Sequence, residues 1–408
     1  MIPVHAPLVL DCGAGGTVSR SGRHFLQIPG PTNVPDRVLR AIDAPVIDHR
    51  GPEFAELGHA VLEGMRAIFQ TRSHVVIYPS SGTGACEAAL SNALSPGDRV
   101  VIMETGWFSH VAWRQVAERL GLLVDYAPGT WRRGASPDDR EARLAPDRQH
   151  EVKDVVVVHN ETSTGAASRI ADLRAVMNRL RHPALLIVDT VSSLASIDFQ
   201  LDEWEVDVAV SGSQKGLMVP PGLGFNAVSE KALKASAAKK VKSTSTYWDW
   251  HEMIRVNASG YFPYTPATNL LYGLREAIAM LQEEGLPNVF HRHARHGEAT
   301  RAAVRAWGLE ILCEEPCEYS NVLTAVLMPE GHNADRLRTL ILERFDMSLG
   351  TGLGKLAGKA FRIGHLGSFN DLMLAGTLGG VEMGLAAAGV PHRPGGVAAA
   401  LARLAQVD

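Results

Sequence analysis

The chain has 408 residues, 46% hydrophobic and 21% charged, an ordinary globular mixture that excludes disorder throughout; at ~100–200 residues per domain it predicts two domains or three. Forty Lys and Arg against 44 Asp and Glu leave a net charge of −4, so no basic excess draws it to nucleic acid or an anionic membrane. Four cysteines, Cys12, Cys86, Cys313 and Cys317, are too few for a disulfide scaffold, while 39 glycines exceed the usual ~7% and let backbone approach a ligand closely.

Residues 1–24 mix glycine, serine and scattered charge without period and read as a flexible leader. The first ten residues lack a charged n-region, so no signal peptide is expected and the compartment is expected to be the cytosol. Ile28 to Pro35 carries three prolines, which exclude helix and strand interior. The segment 25–52 is then an extended arm: a linker, or an arm that lines a site or grips a partner subunit.

From residue 53 the pattern alternates as α/β. A helix is expected over 53–70, a strand at 75–78, a loop at 79–84 and a helix over 86–94. Further strands fall within 98–103 and at 122–126, 155–159, 185–188 and 206–210, with helices over 109–120 and 173–180. The strands are continuous apolar runs, not alternating ones, which predicts a mostly parallel sheet covered on both faces. Residues 53–280 form the expected large domain.

Composition shifts near residue 270. Helices over 270–284, 289–307, 334–344 and 370–388 alternate with short strands near 309–313 and 322–328 and a glycine-rich loop at 350–358. This is the expected smaller α+β C-terminal domain, 281–408. The apolar tract Leu372 to Val390 follows Asp371 and contains Glu382, so it reads as a packed helix and not a membrane span. Cys313 and Cys317 have no second Cys or His pair nearby, so no metal site is expected.

In an open parallel sheet, ligands bind outside the carboxyl ends of the strands. After the first strand comes Ser80-Ser81-Gly82-Thr83-Gly84, opening into a helix. It is either a common cap or a cup whose free N–H groups face an anion. After the strand of four valines comes His159-Asn160-Glu161-Thr162. Asp189 ends the next strand, either as a structural carboxylate or aimed at a cationic ligand atom. Ser211-Gly212-Ser213-Gln214-Lys215-Gly216 follows the last strand. An anion cup, an acid and a lysine after successive strands suit pyridoxal phosphate, which needs a phosphate cradle, an acid on its ring nitrogen and a lysine amine for its aldehyde.

Here the sequence resembles the class V pyridoxal-phosphate aminotransferases. Ser81-Gly82-Thr83-Gly84, His159 to Thr162, Val188-Asp189 and Ser211 to Lys215 resemble the family at large. Pro29 to Asn33, Tyr261 to Pro266 and Phe361 to Gly367 are similar to its serine–glyoxylate / alanine–glyoxylate branch. The resemblance runs from about residue 20 to about 403. It implies the α/β fold of aspartate aminotransferase-like enzymes. It also implies a homodimer with active sites shared between subunits, and small amino-acid and keto-acid substrates.

Position by position, it implies that Lys215 carries the cofactor as a Schiff base and that Asp189 pairs its ring nitrogen. Thr162 would sit near the phenolic oxygen. Ser81, Gly82, Thr83 and Gln214 would hold the phosphate. Phe108 would stack on the ring, with Trp107 as its rival. Tyr264 and Thr265 would reach the neighbouring subunit's cofactor. Arg362 would clamp the substrate carboxylate with its planar fork; His49 and Arg50 would lie in a loop that enters the partner's active site and touches substrate, and Asn33 would touch substrate. Two departures stand out: Thr190 where relatives often have glycine, and Cys86 where an aromatic is frequent.

The expected reaction moves an amino group to glyoxylate by a ping-pong cycle, with serine as first donor and alanine or aspartate as alternatives. A cysteine desulfurase is disfavoured, because Gln214 and not His precedes Lys215 and nothing near Cys313 or Cys317 stabilises a thiolate. A non-catalytic binding protein of the same fold is opposed by the full set of Lys215, Asp189, Thr162 and Arg362.

Overall fold

The computed structural model describes residues 22–241 and 245–406. The expected leader therefore lies, except for its last three residues, outside the described residues, as does Cys12. In chain order the strands are β1 (Phe25–Gln27), β2 (His74–Pro79), β3 (Arg99–Met103), β4 (Leu123–Ala127), β5 (Val152–Val158), β6 (Asn160–Glu161) and β7 (Ala166–Ala167). They continue with β8 (Leu185–Asp189), β9 (Val208–Gly212), β10 (Leu223–Val228), β11 (Glu310–Ile311), β12 (Leu323–Leu327), β13 (Met347–Thr351) and β14 (Ala360–Gly364).

The larger sheet has seven strands in the order β2-β10-β9-β8-β5-β3-β4. All neighbouring pairs are parallel except those of β10, which runs antiparallel to both β2 and β9. Two reversals restore direction, so β2 ends on the same edge as β3, β5, β8 and β9. That edge gathers the loops that carry Ser81, Thr162, Asp189 and Lys215. The valines of β5 and all of Leu185 to Val188 are buried, as strands covered on both faces require.

The sequence reading found six of these seven strands and missed β10. Its run Leu-Gly-Phe-Asn-Ala-Val places a glycine and an asparagine among its apolar residues. Asn226 is nevertheless fully buried, because its amide donates to the Ala85 carbonyl and accepts from the Trp250 indole. Short helices at Pro137–Leu144, Glu230–Ala237 and Trp250–Asn257 were also unforeseen.

Helix Pro52–Phe69 begins with proline in its first turn, where the missing N–H is no loss. It buries Phe54, Leu57, Val61, Met65 and Ile68 along one stripe. Each such side chain contributes about 1.5–3 kcal/mol of burial. The stripe packs on helix Thr268–Glu284, where Gly64 admits the Ile278 side chain.

The second sheet has the order β1-β13-β14-β12-β11. Thus Phe25–Gln27, expected within the arm, forms an edge strand parallel to β13. Gly350 and Thr351, expected in a loop, end β13, and the Phe361 to Gly367 motif opens as strand β14. Helices Leu286–Trp307, Ala334–Phe345 and Asp371–Ala387 cover this sheet. No helix among the described residues is long and apolar enough to cross a membrane.

Residues 28–32 run between the two sheets. Thr32 donates through its N–H to the Gln214 carbonyl (3.1 Å) and through Oγ1 to the Lys215 carbonyl (3.1 Å). On the other side, Gly364 lies against the Ile28 carbonyl; a Cβ there would also sit 2.8 Å from the Pro29 nitrogen. Both obstacles are backbone and cannot rotate away. Gly364→Ala is therefore expected to lower unfolding free energy by about 1–3 kcal/mol through overpacking, measured by urea denaturation. An unchanged midpoint and slope would mean that the segment is not clamped.

Candidate active site

A cavity of about 230 Å³ opens at the common carboxyl edge of the large sheet. Ser81, Gly82, Thr83, Phe108, Thr162, Asp189, Gln214 and Lys215 all line it. Gly30, Cys86, Ala112, Val158, Asn160 and Val191 complete the wall. The structure thus brings together eight of the expected site residues, contributed by five separate stretches of chain.

Ser81 caps helix Gly82–Ala93, its Oγ accepting from the Gly84 N–H at 3.4 Å. The helix starts four residues earlier than expected, directly behind the cap. Its first turn therefore points free N–H groups into the cavity, where the macrodipole favours an anion. The Gln214 side-chain oxygen lies buried at the same end without a partner among the described residues.

Lys215 is 7% exposed, and its amine donates to the Pro29 carbonyl. Burial, aided by the Arg362 guanidinium and opposed by Asp189, pulls the amine down to about 7. A Cβ at Gly30, whose φ is +95°, would collide with that amine. The proline-rich segment thus lines the cavity.

Asp189 is 5% exposed. Its Oδ2 accepts from the Trp113 indole N–H at 2.8 Å and its Oδ1 from the Val191 N–H at 2.9 Å. Burial pushes the carboxyl up from its usual range, and those two donors hold it back.

Thr162 Oγ1 donates to Ser192 Oγ (2.8 Å), which in turn donates to the Asn160 carbonyl (2.9 Å). The Thr162 carbonyl accepts from Arg362 Nη1 at 2.7 Å, while Arg362 Nε donates to the Thr351 carbonyl at 2.8 Å. Arg362 sits on β14, paired with Ala325 and Gly350. It lies beside the cavity and does not line it. Burial lowers it to about 10, with Glu161 opposing.

Of the two aromatic rivals, Phe108 lines the cavity, whereas the Trp107 ring lies against Gly354 of the second sheet's connection. The remaining expected residues lie elsewhere. Tyr264 stacks on Tyr247, with centroids 4.3 Å apart and planes at 10°, and its buried hydroxyl has no partner among the described residues. Thr265 is exposed. Asn33 donates to the Leu26 carbonyl (3.1 Å), Arg50 is exposed, and half-buried His49 has an unpartnered Nε2.

Two residues that the sequence reading did not single out organise the site. Glu161 is fully buried and its carboxylate accepts from the N–H groups of Phe108, Ser109 and Ser163 and from Ser163 Oγ. Trp113, also fully buried, holds Asp189. Glu161 sits within a quoted motif, where its position just past a buried strand was the available signal. Trp113 had none.

The class V aminotransferase family matches residues 24–354. The serine–glyoxylate aminotransferase of Methylorubrum extorquens is 49% identical over 386 residues, 93% of this chain and 96% of that protein. The L-aspartate–glyoxylate aminotransferase of Paracoccus denitrificans is 44% identical over 375 residues, 91% and 94% of the two chains. The solved ureidoglycine–glyoxylate aminotransferase of Bacillus subtilis superposes with a TM-score of 0.87 at 28% identity, covering 95% of this chain and all of that one.

The low amine value makes a prediction. Lys215 loses its proton near pH 7, whereas exposed lysines lose theirs near ~10.4. Labelling by a small acylating reagent, followed by peptide mass spectrometry, should reach half its plateau near pH 7 at Lys215 in protein stripped of ligands. A midpoint matching the surface lysines would show that burial does not depress the amine.

Proposed function

The chain belongs to the class V aminotransferases, and we propose that it moves the amino group of L-serine to glyoxylate, leaving hydroxypyruvate and glycine. The observation that carries this reading is one cavity that joins Lys215 and Asp189 while Arg362 stands at its edge, bonded to Thr162. Membership in the family implies pyridoxal 5′-phosphate as cofactor, and the cavity fits it. A buried amine, a buried carboxylate and a helix N-terminus occupy one space. Gln214 Oε1 has no partner among the described residues, and the amide, turned over, would present its NH2 to a phosphate.

When bound, the cofactor supplies an electron sink for negative charge at the substrate Cα. Lys215 would hold its aldehyde end, and would take and return the Cα proton, for which a pKa near neutrality suits it. Asp189 would face the ring nitrogen. Ser81, Gly82, Thr83 and Gln214 would cradle the phosphate, Phe108 would cover the ring, and Thr162 would stand near the phenolic oxygen.

Arg362 would fix the substrate carboxylate. Two of its five donors are committed to backbone carbonyls, which aim the fork before substrate arrives. His49, Arg50 and Asn33 would belong to the substrate side. The free Tyr264 hydroxyl beside exposed Thr265 would reach the cofactor phosphate of a second copy, giving a homodimer with shared sites. The reading places the enzyme in the cytosol.

Serine is put ahead of aspartate on likeness, the serine–glyoxylate enzyme being 49% identical and the aspartate–glyoxylate enzyme 44%. An aspartate donor would call for a second cation, for which Arg50 is the candidate. A donor panel in single-turnover absorbance should bleach the cofactor band fastest with serine and release hydroxypyruvate; a faster aspartate half-reaction would reassign the donor. Lys215→Ala should retain cofactor without turnover. Arg362→Ala should raise KM for every donor by roughly ten- to a hundredfold, the loss of one or more charge-assisted hydrogen bonds; an unaltered KM would remove Arg362 from the substrate site.

A further inference from the structure

Asp189 is held from behind. One carboxylate oxygen accepts from a backbone N–H, that of Val191, and the other from the Trp113 indole at 2.8 Å. An indole has a single donor and no acceptor, and Trp113 is completely buried. The bond to Asp189 therefore satisfies its one polar atom. A carboxylate offers about four lone-pair sites, so each Asp189 oxygen keeps capacity for a ligand after these two bonds are made.

Local backbone geometry delivers the indole. Ser109–Arg114 is a π-helix, the wide-turn form that occurs mostly as single turns, often at functional sites. In an α-helix, residues five apart point about 140° away from each other. The wider π turn reduces that divergence, so Phe108, at its N-cap, and Trp113 can serve one side. Phe108 and Ala112 line the cavity, and Trp113 reaches the Asp189 carboxylate beneath it. The start of this segment is pinned, since Glu161 accepts from the Phe108 and Ser109 N–H groups at 3.3 and 3.2 Å.

We propose that Trp113 is a positioning residue of the active site, whose indole N–H fixes the Asp189 carboxylate in orientation and in its ionised form for the cofactor's ring nitrogen. This rests on the assignment of Asp189 above. The sign follows from the geometry. Burial favours the neutral acid, and the two N–H donors favour the anion. Removing the indole donor makes the carboxyl take up a proton at higher pH, and a neutral acid holds a protonated ring nitrogen less well.

Trp113→Phe keeps an aromatic ring and deletes the donor. One hydrogen bond to a charged group is worth roughly tenfold in the proton affinity of Asp189, so the acid-side fall in affinity should move up by about one pH unit and binding there should weaken by roughly tenfold. Both are read by titrating cofactor-free protein with pyridoxal phosphate and following absorbance. Asp189→Asn should weaken binding at least as much, and adding Trp113→Phe to it should cost nothing further.

Wild-type affinity and pH profile in Trp113→Phe, beside a weakened Asp189→Asn, would overturn the role of Trp113 and leave that of Asp189 standing. Wild-type affinity in Asp189→Asn would overturn the Asp189 assignment itself. If Trp113→Phe does not fold, the indole N–H signals of the seven tryptophans decide by NMR on cofactor-free wild-type protein. One should lie far downfield, exchange slowly and shift in Asp189→Asn; the absence of such a signal overturns the proposal.

Discussion

The Glu161 carboxylate is the joint on which the candidate site depends. It has no exposed surface, and four donors from two segments converge on it. Without them a buried carboxylate would be expensive; with them, it fixes the backbone on either side. On one side it starts the π-helix that presents Phe108 and Trp113. On the other it holds the turn of the β6–β7 hairpin, whose Thr162 carbonyl orients Arg362. Phe108, Asp189 and Arg362 all trace back to one side chain.

A second constraint joins the two sheets. Lys215 follows a strand of the large sheet and Arg362 lies in the small one, so their spacing depends on what lies between. The segment 28–32 fills that gap with backbone: Pro29 takes the Lys215 amine, Thr32 takes the carbonyls of Gln214 and Lys215, and Ile28 abuts Gly364. Side chains would give way where these carbonyls and amides do not. A proline-rich stretch suits this task because it stays extended and leaves carbonyls free to accept.

These connections also explain what was legible in the sequence. The parallel strands could be read because β5 and β8 are buried on both faces and therefore uniformly apolar. β10 could not, because its buried Asn226 is satisfied by Ala85 and Trp250, partners distant in sequence. The residues lining the cavity were legible as loops after strands, since topology alone puts those loops on one edge. Trp113 was not, because an α-helix over 109–120 would turn it away from Phe108, and nothing in Ser-His-Val-Ala-Trp-Arg announces a π-turn. The edge strand Phe25–Gln27 was hidden because three residues carry no period. It exists through pairing with β13, more than 300 residues away.

The charges of the site argue for what must fill it. Lys215 falls to about 7 and Arg362 to about 10, while Asp189 and Glu161 are pushed up. Every one of these groups is displaced toward its neutral form, and burial is the largest cause each time. Glu161 is compensated within the protein by its four donors. Among the described residues Lys215 and Arg362 have only carbonyl partners, so neither cation has a full counter-charge in contact there. A phosphate at the helix N-terminus and a carboxylate at Arg362 would supply negative charge at those two places. The same burial that lowers the Lys215 amine thus leaves both cations calling for anionic partners, one at each end of the site.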